Sequence, residues 1–324
     1  MATTCSEKMP ASAETGVEKS MVADEFFDYL DAKRLLVDDG LRSALMMGDG
    51  CPPELVEAIR YGLLAPGKRL RPILVIMAAE ACGGRDLEAM PAACAVEMVH
   101  AYSLIHDDLP AMDDDDLRRG QPTCHKKFGE ALAILAGDAL LTLAFQVLTE
   151  GYPPATAAGC CRQLAIGAGA CGMVGGQVLD LAQEAADPKD NGRLEKLQAI
   201  HASKTGALFR TCLQLGAWSA LGETPGGPDP QALKSLDGFG KCFGMLFQIT
   251  DDLLDVESTV ELTGKRVQKD AACGKLTYPG LLGAAESRRR AKEMGDQALN
   301  HLKFLGPHGA RLSALVPFIL ERKR

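Results

Sequence analysis

The chain has 324 residues, of which 47% are hydrophobic and 24% are charged, and this globular composition excludes a mostly disordered chain. Aspartate and glutamate outnumber lysine and arginine by 43 to 35, so the net charge of −8 argues against a general nucleic-acid-binding protein. The 11 cysteines are scattered without a C-x-x-C pair, which indicates free thiols in a reducing compartment and makes the cytoplasm the expected location.

Residues 1–20 are small and polar, and we expect them to form a disordered tail before a single all-α domain over residues 21–324. The tail has neither the apolar core of a secretory signal nor the arginines of a transit peptide. The longest apolar run, residues 164–176, is shorter than the roughly 18–20 residues that cross a bilayer, so we expect no membrane span.

Alanine- and leucine-rich stretches dominate the rest of the chain and predict long helices. These helices cover residues 91–108, 130–150, 155–182, 194–221 and 233–257. Glycines and prolines mark the turns between them. Long helices joined by short polar loops predict a single large helical bundle of the all-α class.

An aspartate cluster follows the first of these helices, and six of the ten residues 107–116 are aspartates. Carboxylates this close repel each other unless a cation neutralises them, and Mg²⁺ binds carboxylates together with waters and phosphates. On a continuous helix Asp107 and Asp113 would diverge, but Pro110 should break the helix after Asp108, so that the chain can loop back. A solvated acidic loop is the alternative interpretation, and it fits poorly with the apolar helix that leads into the cluster.

A second acidic cluster lies on the last predicted helix. Asp251 and Asp255 are four residues apart and share a helix face with Gln248, and Asp252 stands beside them. Three acids on an otherwise apolar helix are costly to bury unless they are paired or bound to a metal.

Basic residues stand beside both clusters, which is the arrangement that a polyphosphate needs. Any one of them alone would be interpreted as a surface cation. They are Lys68, Arg69, Arg71, Arg118, Arg119, Lys204 and Lys265.

Together these motifs resemble the trans-isoprenyl diphosphate synthases, also called polyprenyl synthetases. The resemblance runs from about residue 24 to the C-terminus. The four residues between Asp108 and Asp113 are typical of the bacterial and plastid branch, and residues 100–120 are most similar to bacterial farnesyl diphosphate synthases (geranyltranstransferases). The matching segments are residues 67–72, 100–120, 136–139, 175–180, 204–206, 247–255 and 274–279.

The resemblance implies an all-α bundle with a deep central cavity, a homodimer, and head-to-tail condensation of isopentenyl diphosphate with an allylic diphosphate. It implies three Mg²⁺ ions carried by Asp107, Asp113 and Asp251. Three further aspartates would support these ions, namely Asp108, Asp252 and Asp255.

The same resemblance assigns the polar residues around the two diphosphates. Lys204 would contact the allylic diphosphate, and Thr205 and Gln248 would face the allylic cation. The other contacts to the allylic diphosphate would be Arg118 and Lys265, and isopentenyl diphosphate would be held by Lys68, Arg71, His100 and Arg119.

The sequence departs from the family pattern at two places. Pro66 stands where a second glycine often precedes Gly67, and Gln268 stands where a glycine is common in the loop of Lys265 and Lys269. The reach of these two lysines therefore depends on an altered loop.

Product length depends on the residues four and five positions before the first aspartate, which in this family form the floor of the pocket. Here they are Ser103 and Tyr102, and five residues of helix place Tyr102 about 7.5 Å below Asp107. An ideal helix puts Ser103 more directly beneath Asp107, so packing decides which of the two blocks the pocket. An aromatic floor predicts a C15 product, whereas plain core packing of Tyr102 would leave a C20 product open.

Three alternative functions can be compared with this interpretation through the two aspartate motifs. A class I terpene cyclase usually replaces the second aspartate motif, and a non-catalytic partner subunit typically loses one motif, whereas both are intact here. A calcium module of the EF-hand type would require a glycine and a closing glutamate at fixed spacings, and the first aspartate motif lacks both. The basic C-terminus, residues 321–324, resembles tails that close over bound diphosphate, although it has the composition of a frayed terminus.

Overall fold

The computed structural model describes residues 11–46, 50–184, 192–261 and 276–322. Within these ranges the chain is almost entirely helical, which confirms the predicted all-α class. The first helices are α1 Ala11–Ala44, α2 Pro53–Leu63, α3 Leu70–Ala81, α4 Asp86–Asp107, α5 Cys124–Phe128, α6 Glu130–Gly151, α7 Pro154–Ala168 and α8 Met173–Glu184. The others are α9 Arg193–Ile200, α10 Ala207–Leu221, α11 Pro230–Glu261, α12 Tyr278–Leu282, α13 Ala284–Leu302 and α14 Ala310–Glu321.

Three shorter elements complete the described chain. A two-stranded antiparallel hairpin, β1 Leu117–Arg118 and β2 Gln121–Pro122, pairs Leu117 with Pro122 and Arg118 with Gln121. The π-helical turn His201–Gly206 joins α9 to α10, and the 3₁₀ segment Lys303–Gly309 joins α13 to α14.

Helices α3, α4 and α10 form the centre of the bundle, because most of their side chains are fully buried. Gly216 allows α10 to approach α3 closely, since a Cβ at this position would overlap the carbonyl oxygen of Val75. α6 packs along α4, and α11 packs along α13. The helix ends that carry both aspartate motifs belong to this core and its immediate neighbours.

The helix predicted over residues 91–108 begins earlier, at Asp86. Pro91 therefore lies inside α4 rather than in its first turn. At this position its ring interrupts the helical hydrogen bonds. The Tyr152 hydroxyl bridges the gap, because it accepts from Ala92 N–H at 3.2 Å and donates to the Glu88 carbonyl at 2.7 Å.

Two other predicted helices are interrupted. The helix expected over residues 155–182 is divided into α7 and α8 near Gly169, and the helix expected over residues 194–221 contains the π-helical turn. The α1 helix begins at Ala11, ten residues earlier than the sequence predicts, and residues 1–10 lie outside the described chain. We propose that residues 21–324 form one domain.

By length and composition alone, two helical stretches could cross a bilayer, Glu130–Gly151 and Pro154–Gln183. The first stretch is not a single apolar run in the sequence, because Asp138 and Thr142 interrupt it. Core helices of soluble proteins pass the same test, and α6 packs against α4 along one face. Its other face exposes Ile134 and Leu135.

Candidate active site

The first aspartate cluster lies where the chain leaves α4 and turns back. α4 ends at Asp107, and the backbone N–H of Asp113 donates a 2.8 Å hydrogen bond to the Asp107 carbonyl. A second bond of 3.2 Å joins the Asp115 N–H to the Asp108 carbonyl. The loop that Pro110 predicts therefore does form, and it returns Asp113 to Asp107.

Asp107 stands in a place that disfavours its negative charge. Burial raises the pKa of Asp107 to about 6, and the neighbouring carboxylate of Asp113 acts in the same direction. The ammonium group of Lys204 opposes this shift. A further cation at this site would relieve the remaining penalty on the ionised carboxylate.

Asp108 is already engaged inside the protein. It is 2% exposed, and Arg118 Nε donates to its Oδ1 at 2.7 Å. Arg118 reaches it from the hairpin, whose two-residue turn is formed by Arg119 and Gly120 with φ angles of 53° and 78°. Arg118, which the sequence assigns to the allylic diphosphate, must exchange this carboxylate for a phosphate to fill that role.

The second aspartate motif lies on α11, and its members have different partners. Asp251 forms an ion pair with Arg322, the residue after α14, and burial raises the Asp251 pKa against the pull of that arginine. Asp252 accepts a 2.8 Å hydrogen bond from the Tyr278 backbone N–H. Asp255 lines the cleft below. Part of the predicted basic tail thus reaches the site, whereas residues 323–324 lie outside the described chain.

A cleft with a volume of about 290 Å³ opens between α8, the π-helical turn and α11. Its walls bring the second aspartate motif together with all three predicted catalytic residues. The polar residues that line it are Asp180, Gln183, His201, Lys204, Thr205, Gln248, Asp251, Asp252, Asp255 and Thr277.

The π-helical turn carries two of the predicted catalytic residues, and such turns are frequent at functional sites. Lys204 Nζ lies 2.6 Å from Asp180 Oδ2. The Thr205 hydroxyl donates to the side-chain oxygen of Gln248, so Thr205 and Gln248 meet across the cleft from different helices.

Sequence reasoning missed three polar residues on the same wall: Asp180, Gln177 and His201. Both amide atoms of Gln177 are buried and have no partner in the described part of the chain, and the same holds for His201 Nδ1. The available signal was the run from Gly175 to Asp180. Gly176 lets α8 touch the π-helical turn, because a Cβ there would overlap the backbone nitrogen of Lys204.

The residues predicted to hold isopentenyl diphosphate form a cationic cluster at the start of α3. Arg71 donates to His100 Nε2 at 3.3 Å, and its Nε is buried without a partner among the described residues. Burial and the charges of Arg71 and Arg119 lower the pKa of His100, which keeps the imidazole neutral. Arg119 also donates to the Pro66 carbonyl, and Lys68 is exposed on the same segment.

The predicted floor residues lie lower on α4. Tyr102 is 7% exposed, and its ring meets the His106 ring edge-on with centroids 5.7 Å apart. The Ser103 hydroxyl donates to the His100 carbonyl at 2.9 Å and is used within the helix. Tyr102 is therefore the bulkier of the two side chains. Lys265, Gln268 and Lys269 lie outside the described residues.

The donor set fits Mg²⁺ better than a closed protein cage. Within the described residues, no three His, Cys, Asp or Glu side chains are close enough to hold one metal ion. Mg²⁺ is usually bound through one or two carboxylates and completes its shell with waters and phosphate oxygens. Asp107 with Asp113, and Asp251 with Asp255, offer such partial sets of hard oxygen donors.

Comparison with known proteins gives a consistent result. The polyprenyl synthetase family model matches residues 52–303. The heterodimeric geranylgeranyl pyrophosphate synthase large subunit 2 of Arabidopsis thaliana is 43% identical over 302 residues, which are 93% of this chain and 78% of that protein. The farnesyl diphosphate synthase of Escherichia coli is 46% identical over 277 residues, which are 83% of this chain and 90% of that protein.

Solved structures of similar proteins superimpose on this chain. An FPP/GFPP synthase of Zymomonas mobilis superimposes with a TM-score of 0.79 at 35% identity, and the alignment covers 92% of this chain and 99% of that one. A geranyltransferase of Legionella pneumophila gives a TM-score of 0.79 at 33% identity, covering 92% and 98%.

The raised pKa of Asp107 predicts that its charge destabilises the metal-free protein. The carboxyl group has a pKa of about 6 in the folded chain against an ordinary value of 3.8, so the penalty grows from pH 3.8 to 6 and is complete above pH 6. We expect Asp107→Asn to raise the free energy of unfolding at pH 7.5 by about 2 kcal/mol, and to change it little near pH 4. Urea denaturation in EDTA measures both values.

Glu57→Gln, at an exposed carboxylate on α2, is the matched control and should change stability little at either pH. A stabilisation by Asp107→Asn that stays constant between pH 4 and 7.5, or a loss of stability at pH 7.5, would contradict the prediction.

Proposed function

Because the chain belongs to the polyprenyl synthetase family, we propose that it condenses isopentenyl diphosphate with dimethylallyl and geranyl diphosphate and releases farnesyl diphosphate. The observation that carries this proposal is the placement of charge around one end of the bundle. Lys204 lines the cleft together with the second aspartate motif and acts on the charge of Asp107 in the first motif, and Arg71 of the cation cluster acts on the charge of Asp251. A polyphosphate with metal ions requires these complementary groups.

We propose that three Mg²⁺ ions bind with the allylic diphosphate. Asp107, Asp113 and Asp251 would hold them, with support from Asp108, Asp252 and Asp255. Bound Mg²⁺ would supply electrostatic stabilisation of the leaving diphosphate. The burial that raises the pKa of Asp107 and Asp251 supports this role, since a cation nearby favours the ionised form of each carboxylate. At Asp251 the guanidinium of Arg322 supplies that cation in the metal-free chain.

The protein's own residues then have distinct tasks. Lys204, with Arg118 and Lys265, would bind the allylic diphosphate and balance the charge that develops as its C–O bond breaks. Thr205 and Gln248, held by their mutual hydrogen bond, would present oxygen atoms to the allylic cation. The double bond of isopentenyl diphosphate attacks that cation, and the proton lost afterwards passes to the released diphosphate.

Isopentenyl diphosphate would bind to Lys68, Arg71, His100 and Arg119. The buried Nε of Arg71, which lacks a partner in the described chain, supports this assignment because a buried donor requires an acceptor. The neutral imidazole of His100 can donate one hydrogen bond to a phosphate oxygen.

A C15 product is proposed because Tyr102 is a buried aromatic residue five positions before Asp107, where its ring would limit the length of the growing chain. A C20 product is the second candidate, since Arabidopsis geranylgeranyl pyrophosphate synthases are 43–47% identical to this chain, a range that also includes the 46% of the farnesyl diphosphate synthase. The two candidates differ by one isoprene unit at the same site.

A homodimer is proposed through the apolar surface of α6, α7 and α8. Ile134 and Leu135 on α6 are 43% and 55% exposed, and Val178 on α8 is 61% exposed. α6 contacts α7, and α7 contacts α8, so these side chains lie on consecutive packed helices. Exposed apolar surface of this extent is typical of a protein interface. A second copy of the chain would cover it.

We propose a reducing compartment such as the cytoplasm. The nine cysteines in the described chain are free, and burial raises the pKa of those in the core. Several Arabidopsis relatives are named as chloroplastic proteins.

The function is tested by incubating the purified chain with Mg²⁺, labelled isopentenyl diphosphate and geranyl diphosphate. We expect a C15 alcohol after dephosphorylation, and no product in EDTA, because the carboxylates require the metal to bind diphosphate. Chromatography of the products gives the length. A C20 alcohol would retain the condensation and replace the proposed product, and no condensation in Mg²⁺ would overturn the proposed function.

Replacement of Tyr102 tests the floor separately. We expect Tyr102→Ala to shift the main product from C15 to C20, because the ring that stops the chain is removed. Ser103→Ala is the matched control and should leave the product length unchanged, since the Ser103 hydroxyl is used within α4. An unchanged product profile in Tyr102→Ala would remove Tyr102 from this role.

The subunit interface is tested by light scattering. We expect the wild-type chain to have twice the 34.4 kDa mass of one copy, and Leu135→Asp to reduce it towards one copy. Leu87→Asp is the control, because Leu87 is 75% exposed at the start of α4, away from this surface. A dimer that withstands Leu135→Asp would place the interface elsewhere.

A further inference from the structure

Lys68, Arg69 and Arg71 look equivalent in the sequence, but the structure separates them. Lys68 is exposed and Arg71 reaches His100, whereas the Arg69 side chain is only 4% exposed. Arg69 is therefore withheld from any substrate, although it lies between two residues proposed to bind isopentenyl diphosphate.

All three nitrogens of the Arg69 guanidinium are used inside the protein. Nε donates to Asp38 on α1 at 2.8 Å, and one terminal nitrogen donates to Glu97 on α4 at 2.8 Å. The other terminal nitrogen donates to the Ala65 carbonyl at 2.9 Å, just after α2. One side chain thus connects two helices to the segment that leads into α3.

The backbone of Arg69 is also unusual. Its φ and ψ of 51° and 33° place it in the left-handed region, which side chains with a Cβ rarely adopt. Such a conformation persists where surrounding contacts fix it. The three hydrogen bonds of the guanidinium supply those contacts at the N-terminus of α3.

The segment that Arg69 fixes contacts every proposed isopentenyl diphosphate ligand. It carries Lys68 and Arg71, and its Pro66 carbonyl accepts from Arg119. Gly67 keeps it close to the same arginine, because a Cβ there would lie 2.5 Å from the Arg119 guanidinium. Glu97, the other end of the ion pair, precedes His100 by one turn of α4.

Glu97 also supplies negative charge among these cations. It acts on Arg71 and Arg119, raising the pKa of each against burial. Arg71 and Arg119 therefore share a carboxylate that is itself held by Arg69.

We propose that Arg69, fixed by Asp38 and Glu97, is the positioning residue of the isopentenyl diphosphate site and sets the distance between Lys68, Arg71 and Arg119. This inference rests on the proposed function. Arg69 acts mainly on the ligands of one substrate, because its hydrogen bonds go to Asp38, Glu97 and Ala65. The groups proposed for the allylic substrate stand at the end of α4, on the hairpin, on α11 and on the π-helical turn.

The test compares Arg69→Lys with the wild-type chain. Lysine keeps the positive charge but has a single nitrogen in place of the three guanidinium nitrogens. It therefore cannot donate to Asp38, Glu97 and the Ala65 carbonyl in the same geometry. We expect the KM for isopentenyl diphosphate to rise roughly tenfold or more, because small displacements of binding groups are costly, while the KM for geranyl diphosphate changes less than about twofold. Asp38→Asn should give a smaller change in the same direction, and it serves if Arg69→Lys fails to fold.

Lys33→Met is the matched control for lost stability. Lys33 also joins α1 to the neighbouring helices, through Glu80 at 2.9 Å and through Asp86, but it is remote from the proposed site. We expect it to lower the melting temperature and to leave both KM values unchanged.

Two results would overturn the inference while the proposed function stands: unchanged KM values in both Arg69→Lys and Asp38→Asn, or an equal rise for both substrates. A wild-type chain that neither condenses the substrates nor binds isopentenyl diphosphate in calorimetry would overturn both. Selective loss of isopentenyl diphosphate affinity in the variants, measured by the same calorimetry, would support both.

Discussion

The structure depends on placing opposite charges close together at one end of an apolar helical bundle. Isolated charges in such a place are very unfavourable, and ion pairs with good hydrogen-bond geometry reduce the penalty. Four carboxylates in this region accordingly have a basic partner from a different element. The pairs are Asp108 with Arg118, Asp180 with Lys204, Asp251 with Arg322, and Glu97 with Arg69.

These ion pairs differ in their solvent exposure. The difference distinguishes pairs that can bind a substrate from pairs that only hold the structure in place. In the Arg69 and Glu97 pair the side chains are 4% and 5% exposed, so removal of either partner leaves a buried charge. In the Lys204 and Asp180 pair the exposures are 26% and 24%. Water and an incoming anion can reach the second pair, and partly exposed pairs contribute little to stability. Such pairs can exchange partners at low cost, which a substrate site requires.

Local sequence signals predict the loop of the first aspartate motif well, but they do not predict the π-helical turn. Pro110 is enough to end α4 near Asp107, because the constraint acts within the same few residues. The start of α4 was misplaced because Tyr152, distant in sequence, replaces the hydrogen bonds that Pro91 disrupts. The π-helical turn has no local sequence signal, since it depends on α8 and α11 packing against it at Gly176 and Gly244. Long-range packing therefore accounts for what the sequence did not reveal.

Whole-chain sequence identity does not distinguish the two proposed product lengths. Whole-chain identity is summed over about 300 aligned positions, and it places farnesyl and geranylgeranyl synthases in the same range of similarity to this chain. The depth available to a growing chain depends instead on the side chains that project from α4 below the aspartates. Tyr102 lies five residues before Asp107, about 7.5 Å along the helix, where its ring is buried against His106. The C15 and C20 interpretations therefore diverge at this position, while the charged end of the bundle is common to both.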